Sequence, residues 1–253
     1  MRGITGMIAL SALLGAGTAQ ADLLGVTVGA GGWSQDPGGW VQYKSNDQFD
    51  VDDDLNMDKE TGGYIFAKIE HPIPVLPNVR LYYGQSSFKG TGTVDRTRSF
   101  GNITVIANEK VKSEANLDYV DGTFYYQLLD NVVSLDLGLN VRYMSGHVKV
   151  TRVATGESEE ANIDFAFPMG YAMARVDIPT TGIFLKAEGS AIGYNGNRIV
   201  DAQIGAGYEL GLVAANLGVE AGYKSQQIKL DDVDNASADV SVKGPYAGVY
   251  VDF

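Results

Sequence analysis

The stretch Val133-Ser-Leu-Asp-Leu-Gly-Leu-Asn-Val-Arg-Tyr143 alternates apolar residues with polar or small ones at every position. Successive side chains of an extended strand point to opposite faces, so one face of this segment is apolar throughout. The other face carries Ser134, Asp136, Gly138, Asn140 and Arg142. Half-exposed soluble sheets also alternate, but a strand of this length can cross a bilayer at a tilt. The stretch therefore predicts a membrane-crossing strand with one face toward lipid and the other toward a polar interior.

The last eight residues, Tyr246-Ala-Gly-Val-Tyr-Val-Asp-Phe253, carry the same pattern to the end of the chain. Ala247, Val249, Val251 and Phe253 share one face of this strand. The ends of soluble domains usually fray into polar residues, so an apolar face that reaches the final position is unusual. The chain end is therefore predicted to be part of the sheet.

Segments with this period recur along the chain, and convincing helical ones do not. Because an open sheet edge in lipid leaves backbone groups unpaired at several kcal/mol each, a sheet with a lipid-facing side on every strand must close. The predicted fold class is all-β, a closed antiparallel up-and-down transmembrane β-barrel of about ten strands. The ten segments are 23–33, 62–71, 78–88, 116–128, 132–144, 163–178, 183–194, 198–210, 213–224 and 241–253.

The connections support this topology because they alternate between short and long. Transmembrane barrels have short turns at one end and longer loops at the other. An even strand number places both termini at the end with the short turns. Eight strands remain an alternative if 23–33 or the segment interrupted by Pro168 is miscounted. Twelve remain an alternative if 99–106 and 108–115 form a further hairpin.

The first 21 residues have the features of a secretory signal peptide. Arg2 supplies the positive charge, residues 7–14 the apolar core, and Ala19-Gln-Ala21 the small-x-small cleavage site. The alternative is a membrane anchor, but the apolar run is shorter than the roughly 20 residues that span a bilayer. The predicted organisation is therefore a signal peptide, 1–21, followed by one barrel domain, 22–253.

Composition excludes several classes of function. The chain has a net charge of −12, which argues against a nucleic-acid partner because such partners need a basic surface. It has no cysteine, so it has neither disulfides nor thiolate chemistry. It contains 14 Tyr residues, and those near strand ends, including Tyr82, Tyr83, Tyr125 and Tyr126, are predicted to form aromatic girdles at the membrane interfaces.

The face predicted to point inward is unusually charged, with both signs present. Interior side chains largely fill a narrow barrel, and buried charges must pair or stay hydrated. Two interpretations follow: an ion-pair network that plugs the lumen, or a thin polar passage whose selectivity these residues set. The lumen-lining candidates are Lys68, Glu70, Arg80, Asp121, Asp136, Arg142, Lys186, Glu188, Asp201, Glu209, Glu220 and Lys224.

The first long loop contains a run of aspartates at alternate positions, Asp50, Asp52, Asp54 and Asp58 among them. Hard cations prefer such oxygen ligands, which makes these four residues weak candidates for a metal site. The calcium-loop signature requires Gly and Glu where this chain has Leu55 and Thr61, so that match fails. The sequence predicts no cofactor, and at most weakly bound divalent cations on a solvated acidic loop.

An enzymatic alternative depends on His147. Ser145 and His147 are two residues apart and share a strand face, so they could act as nucleophile and base. Glu157, Glu159 or Glu160 could orient the imidazole. The simpler interpretation is a rim histidine without catalytic function.

Taken whole, the mature chain resembles the small outer-membrane β-barrel proteins of Gram-negative bacteria. More narrowly, it resembles an uncharacterised family of such barrels whose exported form opens as Asp22-Leu-Leu-Gly-Val26 does here. In those barrels the assembly machinery recognises the final strand, and the signal corresponds to Gly248, Val251 and Phe253. Tyr246, in a slot that is usually polar, is a partial departure.

This resemblance implies a location in the bacterial outer membrane, with membrane lipid, lipopolysaccharide and the barrel-assembly machinery as partners. It implies no reaction and no catalytic residue. The expected function is an integral, non-enzymatic barrel with a structural or small-pore role and acidic outer loops. The alternatives are a lipid- or peptide-modifying enzyme that uses His147, and a passive channel for small solutes.

Overall fold

The alternating segments form a closed β-barrel in the computed structural model, which describes residues 24–44, 47–233 and 235–253. The signal peptide, 1–21, lies outside the described residues and stays a prediction. No helix that could span a membrane occurs among the described residues. The strands are β1 (Gly25–Tyr43), β2 (Phe49–Asp50), β3 (Glu60–Glu70), β4 (Asn78–Gly84), β5 (Ser87–Thr93), β6 (Arg98–Phe100), β7 (Ile103–Val105), β8 (Lys110–Asp130), β9 (Val133–Arg152), β10 (Ser158–Asp177), β11 (Ile183–Tyr194), β12 (Asn197–Gly211), β13 (Asn216–Val233) and β14 (Ala236–Asp252).

Neighbouring wall strands pair antiparallel in chain order, and the sheet closes where β14 pairs with β1. β4 and β5 are two parts of one wall strand because both pair with β8 in the same register. The prediction of a closed, up-and-down barrel with ten wall strands is confirmed for the described part of the chain. β2, β6 and β7 are short additional strands at one end.

The C-terminal strand forms the closing seam. Gly248 lies opposite Gly31 of β1, and Val251 lies opposite Val28. The backbone N–H of Phe253 donates to the carbonyl of Val26 at 2.9 Å. The three residues of the predicted assembly signal therefore sit where the last and first strands join. Both described chain ends lie at the end with the short turns, called here the turn end; the opposite end is the loop end.

An apolar belt surrounds the barrel on the outside. Leu139, Ile204 and Val249 are more than half exposed although they are aliphatic. The belt spans about 33 Å along β9, or roughly 25 Å once the usual strand tilt is included, which matches the lipid-facing band of membrane barrels. The belt consists of the outward side chains in 24–32, 63–69, 79–83, 120–128, 133–143, 166–176, 183–191, 200–210, 217–223 and 245–253.

Tyrosines mark the edges of the belt. Tyr83, Tyr143 and Tyr223 face outward at its edge toward the loop end, and Tyr126 and Tyr208 face outward toward the turn end. The hydroxyl of Tyr83 donates to Asp118, just beyond the belt, at 2.8 Å. An apolar ring with a polar tip is the arrangement expected at a membrane interface.

Beyond the belt, the two faces of the wall exchange character: the outward side chains become polar and the inward side chains become apolar. On β9, Ser145, His147 and Lys149 point outward, whereas Met144 and Val150 point inward and are buried. The strands therefore continue past the membrane as a wall with a wet outside and an apolar inside. This explains why β8 and β9 extend well beyond the predicted segments 116–128 and 132–144 toward the loop end.

Pro168 does not interrupt its strand. β10 pairs with β9 throughout its length, but its pairing with β11 begins only at Gly170. Proline has no backbone N–H to donate to a neighbouring strand. It is therefore tolerated at a position where one neighbouring strand is not paired. The predicted strand 163–178 is therefore one continuous element.

Candidate functional site: the barrel lumen

All twelve predicted lumen residues line one of two cavities inside the barrel. The smaller cavity, at mid-height, has a volume of about 20 Å³, which is room for about one water molecule. The larger cavity lies toward the turn end, has a volume of about 370 Å³, and is called here the vestibule. The lumen is therefore wide at one end and almost filled at mid-height.

Arg142 is the centre of the mid-height filling. Its guanidinium donates twice to Asp121, from Nε at 2.7 Å and Nη2 at 2.6 Å. Nη2 also donates to Asp201 at 2.8 Å. All three side chains are buried. Because β8, β9 and β12 each contribute one member, the network connects strands on different sides of the barrel.

Lys224 extends this network into a cluster of aromatic rings. Its ammonium lies 3.4 Å from Asp201 and donates to the hydroxyl of Tyr119 at 3.0 Å. It also lies 5.0 Å from the ring centroids of Trp33 and Tyr82. A cation over aromatic faces is favourable, and most so when it is desolvated. The lysine therefore occupies the cation position of an aromatic cage.

A layer of buried side chains fills the lumen on the loop side of Arg142. Two residues nearer the loop end, the same strands carry large uncharged side chains in place of charged ones: Tyr119 in place of Asp121 on β8, and Met144 in place of Arg142 on β9. The rings of Tyr64, Tyr82 and Tyr119 stack with centroid separations of 5.5 and 5.8 Å. This aromatic layer consists of Trp33, Tyr64, Tyr82, Phe88, Ala115, Tyr119, Met144, Val242 and Tyr246.

Glycines make room for these rings. A Cβ at Gly31 would lie 2.4 Å from the Tyr64 ring and from the carbonyl oxygen of Ala247. A Cβ at Gly84 would lie 2.6 Å from the ring of Tyr119. The large and small residues are therefore fitted to each other, as in a packed core rather than a channel.

The inward orientation of two tyrosines corrects one prediction from the sequence. Tyr82 and Tyr125 face the lumen and are buried, so they do not belong to the outer girdles. The sequence contained a usable signal, because Tyr82-Tyr83 and Tyr125-Tyr126 are consecutive pairs. Successive strand residues point to opposite faces, so only one tyrosine of each pair can meet lipid.

The long connections fold into an outer cap over the loop end. The cap comprises residues 47–58 and 94–109, and it packs on the inward faces of β1, β8, β9 and β10. Phe49, Leu55, Val94 and Val105 are fully buried in it. Its core consists of Phe49, Leu55, Val94, Phe100, Ile103, Val105, Val111, Val150 and Ala161. The predicted solvated loop is thus partly a second hydrophobic core.

Polar contacts lock the cap together. Arg98 forms an ion pair with buried Asp54 and also donates to the carbonyl of Gln48. At the tip, Arg152 donates to Glu109 at 3.0 Å, and this hydrogen bond holds the pKa of the Glu109 carboxyl below its usual range. The cap therefore has a defined structure, with charges paired across both of its segments.

The four metal candidates are not gathered around one point. Asp54 is committed to Arg98, and Asp50 accepts from the backbone N–H groups of Asp52 and Asp53 at 2.9 Å each. No group of three or more potential ligands for a metal ion occurs among the described residues. The expectation of weakly bound divalent cations at Asp50, Asp52, Asp54 and Asp58 stays a prediction.

His147 points outward from the barrel wall beyond the belt. Its Nε2 lies 3.5 Å from the side-chain amide nitrogen of Asn116. Glu157 and Glu159 are engaged elsewhere, Glu157 with Arg152 and Glu159 with Asn102. Glu160 lies on the same outer wall, opposite Lys149, and the hydrogen bond recorded for the imidazole goes to Asn116 and not to Glu160 or Ser145.

The vestibule has a different character from the plugged part of the lumen. It reaches the turn end, where Asp177, Asp252 and Asn131 line its mouth. Arg175 pairs with Asp177 at 2.7 Å and with Glu209 at 3.3 Å, and Lys186 pairs with Glu220 at 2.6 Å. Eight acidic and four basic side chains line this cavity. It is therefore an acidic pocket, open at one end and closed at the other.

No protein-family model and no curated protein matches the chain. Solved structures that resemble it are Gram-negative outer-membrane β-barrels. The transport unit of the autotransporter AIDA-I from Escherichia coli is 13% identical, with 96% of this chain and 93% of that one covered and a TM-score of 0.38.

Ail, the attachment invasion locus protein of Yersinia pestis, solved in complex with the heparin analogue sucrose octasulfate, is 11% identical. The match covers 89% of this chain and 99% of that one, with a TM-score of 0.35. The toluene transporter TodX of Pseudomonas putida is 9% identical over 92% of this chain and 90% of that one, with a TM-score of 0.29. None of these similarities indicates a ligand for this chain.

Proposed function

We propose that this chain is a non-enzymatic, non-conducting β-barrel of the bacterial outer membrane that displays the outer cap at the cell surface. The observation that carries this proposal is the double closure of the lumen. The aromatic layer and the Arg142 network fill the barrel at mid-height, and the cap core covers it beyond. A solute would have to displace two packed regions, first the aromatic layer and then the cap core. A passive channel instead offers a continuous path.

The outer surface supports the proposed location. The belt has the height of a bilayer core, aromatic rims and unbroken apolar character, which would be costly in water. Lipopolysaccharide phosphates would meet the wall beyond the belt. About 20 Å along the strands past Tyr83 and Tyr143, Lys89, Lys112 and Lys149 surround Glu114 and hold its pKa below the usual range, with Lys112 the largest cause. These lysines are the surface we assign to lipopolysaccharide phosphates.

The seam between β14 and β1 supports the proposed assembly route. Phe253 and Val251 lie on the outside of the barrel, in the strand that must join the first strand last. A machinery that reads this strand would act on the element that closes the sheet. Gly248, Val251 and Phe253 therefore remain the proposed assembly signal.

Surface labelling tests location and orientation together, because the chain has no cysteine of its own. Thr155→Cys lies in an outer turn and Val75→Cys in a turn at the turn end; both positions are exposed. A membrane-impermeant maleimide applied to intact Gram-negative cells should label Thr155→Cys and leave Val75→Cys unlabelled. Val75→Cys should react only after the outer membrane is permeabilised.

The opposite labelling pattern would contradict the orientation. Extraction of the protein by carbonate without detergent would contradict the membrane location. Detergent-solubilised protein provides the control, because both cysteines should react there at similar rates.

A further inference from the structure

One carboxylate oxygen at the wall of the vestibule is buried without a hydrogen-bond partner. Asp136 is only 1% exposed, and its Oδ1 accepts no hydrogen bond from any described residue. It lines the 370 Å³ cavity, on the inward face of β9. A buried charge without a hydrogen-bond partner is costly, so a cation that binds beside this carboxylate would be stabilised by it.

The neighbouring cations are already committed. Lys68 pairs with Glu70 at 3.1 Å, Lys186 with Glu220 at 2.6 Å, and Arg80 with Glu188. Arg175, the fourth, is shared between Asp177 and Glu209. Because acidic residues outnumber basic ones by four in the lining, the vestibule attracts positive charge. Low-dielectric walls strengthen that attraction.

The remaining walls favour an organic cation. Met173 lies directly across the β9–β10 ladder from Asp136, and Tyr171 lies two residues nearer the loop end. Phe66 and Tyr250 contribute further aromatic surface to the same cavity. A thioether and aromatic rings suit methylene groups and ammonium ions. Inorganic divalent cations need several converging oxygens, and no such group is present among the described residues.

We propose that the vestibule binds a small aliphatic amine, with its ammonium group at Asp136 and its methylene chain along Met173 and Tyr171. This binding goes beyond the proposed function, which concerns the closed lumen and the displayed cap. The proposed function enters only in naming the source of the amine: with the proposed orientation, the turn end would open onto the periplasm. A conducting lumen or a reversed orientation would leave this prediction in place.

The test is isothermal titration of the full mature chain, refolded in an uncharged detergent, with putrescine as the probe. We expect saturable binding with one putrescine per barrel, weakened by added salt, and no binding of 1,4-butanediol, which has the same carbon chain without charge. Asp136→Asn should weaken binding about tenfold or more, because it removes one partner of a buried charge pair. Asp164→Asn, on the outward face of the adjacent strand, should bind as the unmodified protein does.

Met173→Lys is a second variant that does not depend on removing the buried charge. It places a tethered ammonium beside Asp136 and should abolish putrescine binding in a chain that still shows heat-dependent gel mobility. Absence of saturable putrescine binding would overturn the proposal. Equal binding by Asp136→Asn, or by Met173→Lys, would also overturn it. Magnesium binding that requires Asp136 and excludes putrescine would overturn the assignment to an amine.

Discussion

Arg142→Met should destabilise the barrel by about 3–5 kcal/mol, the usual cost of breaking a buried ion pair from one side. The substitution keeps much of the side-chain volume but leaves Asp121 without its guanidinium partner. Asp201 would keep Lys224 and Gln226, at 3.4 and 3.2 Å. The free energy of unfolding can be measured by denaturant titration in detergent micelles, followed by heat-dependent gel mobility and tryptophan fluorescence.

Two further variants separate the ion network from a general effect of losing an arginine. Arg198→Met removes an exposed guanidinium from the outer wall and should change stability by less than about 0.5 kcal/mol. Arg142→Met combined with Asp121→Leu removes both charges and should recover part of the loss, since an apolar pair can replace a buried ion pair. Equal stability of the Arg142 and Arg198 variants would show that the network does not support the barrel.

Leu55→Ala should weaken the outer cap by about 2–5 kcal/mol without unfolding the barrel. Leu55 is fully buried in the cap core, and its removal leaves a cavity between the two cap segments. Because the cap is a local unit, the effect should appear as faster amide hydrogen exchange in β6 and β7. Exchange there should rise by roughly thirty-fold to several-thousand-fold, while amides in the belt strands keep their protection.

Ile106→Ala is the matched control for this cap prediction. Ile106 belongs to the same cap but is more than half exposed, so its truncation should change exchange little. Loss of protection throughout the barrel in Leu55→Ala would mean that the cap and the barrel unfold as one unit. Unchanged exchange in β6 and β7 would mean that the cap core does not hold these strands.

The barrel was predictable from the sequence because one physical rule governs every wall strand. Outward apolar residues such as those in 133–143 repeat at period two, and closure then follows from the cost of an open edge in lipid. The same period of two places the twelve charged candidates on the inward faces of their strands. Strand lengths were not predictable in this way. Beyond Tyr143 on β9 and Val120 on β8, the outward residues become polar and the inward ones apolar, so the lipid-facing pattern ends before the strand does.

The cap could not be derived from local pattern. Asp54 sits in an acidic run that is typical of a solvated loop, and its partner Arg98 is 44 residues away. The buried Phe49, Val51 and Leu55 fall at alternate positions of that run, but the backbone forms a turn over 51–55 instead of a strand, so this spacing does not assign them to one face. Only the closure of the barrel brings the two long connections together, so the cap core is a tertiary feature.

The same limit applies to the pairing inside the lumen. The sequence assigns Arg142, Asp121 and Asp201 to an inward face, but it leaves open whether they line a passage or fill it. The answer depends on the residues beside them, since Tyr82 and Tyr119 stack over the network from two different strands. That stacking depends on the register between β4 and β8, which a single strand does not encode.

The most direct test of the closed lumen is single-channel recording of the refolded mature chain in a planar bilayer. Folding and insertion are first verified by heat-dependent gel mobility, and an established porin in the same bilayer is the positive control. We expect no discrete current steps, for the native chain and for Leu55→Ala alike, because the aromatic layer remains in place when the cap opens. Reproducible current steps from the native chain would contradict the account, since they would require a continuous water path past Arg142 and the aromatic layer.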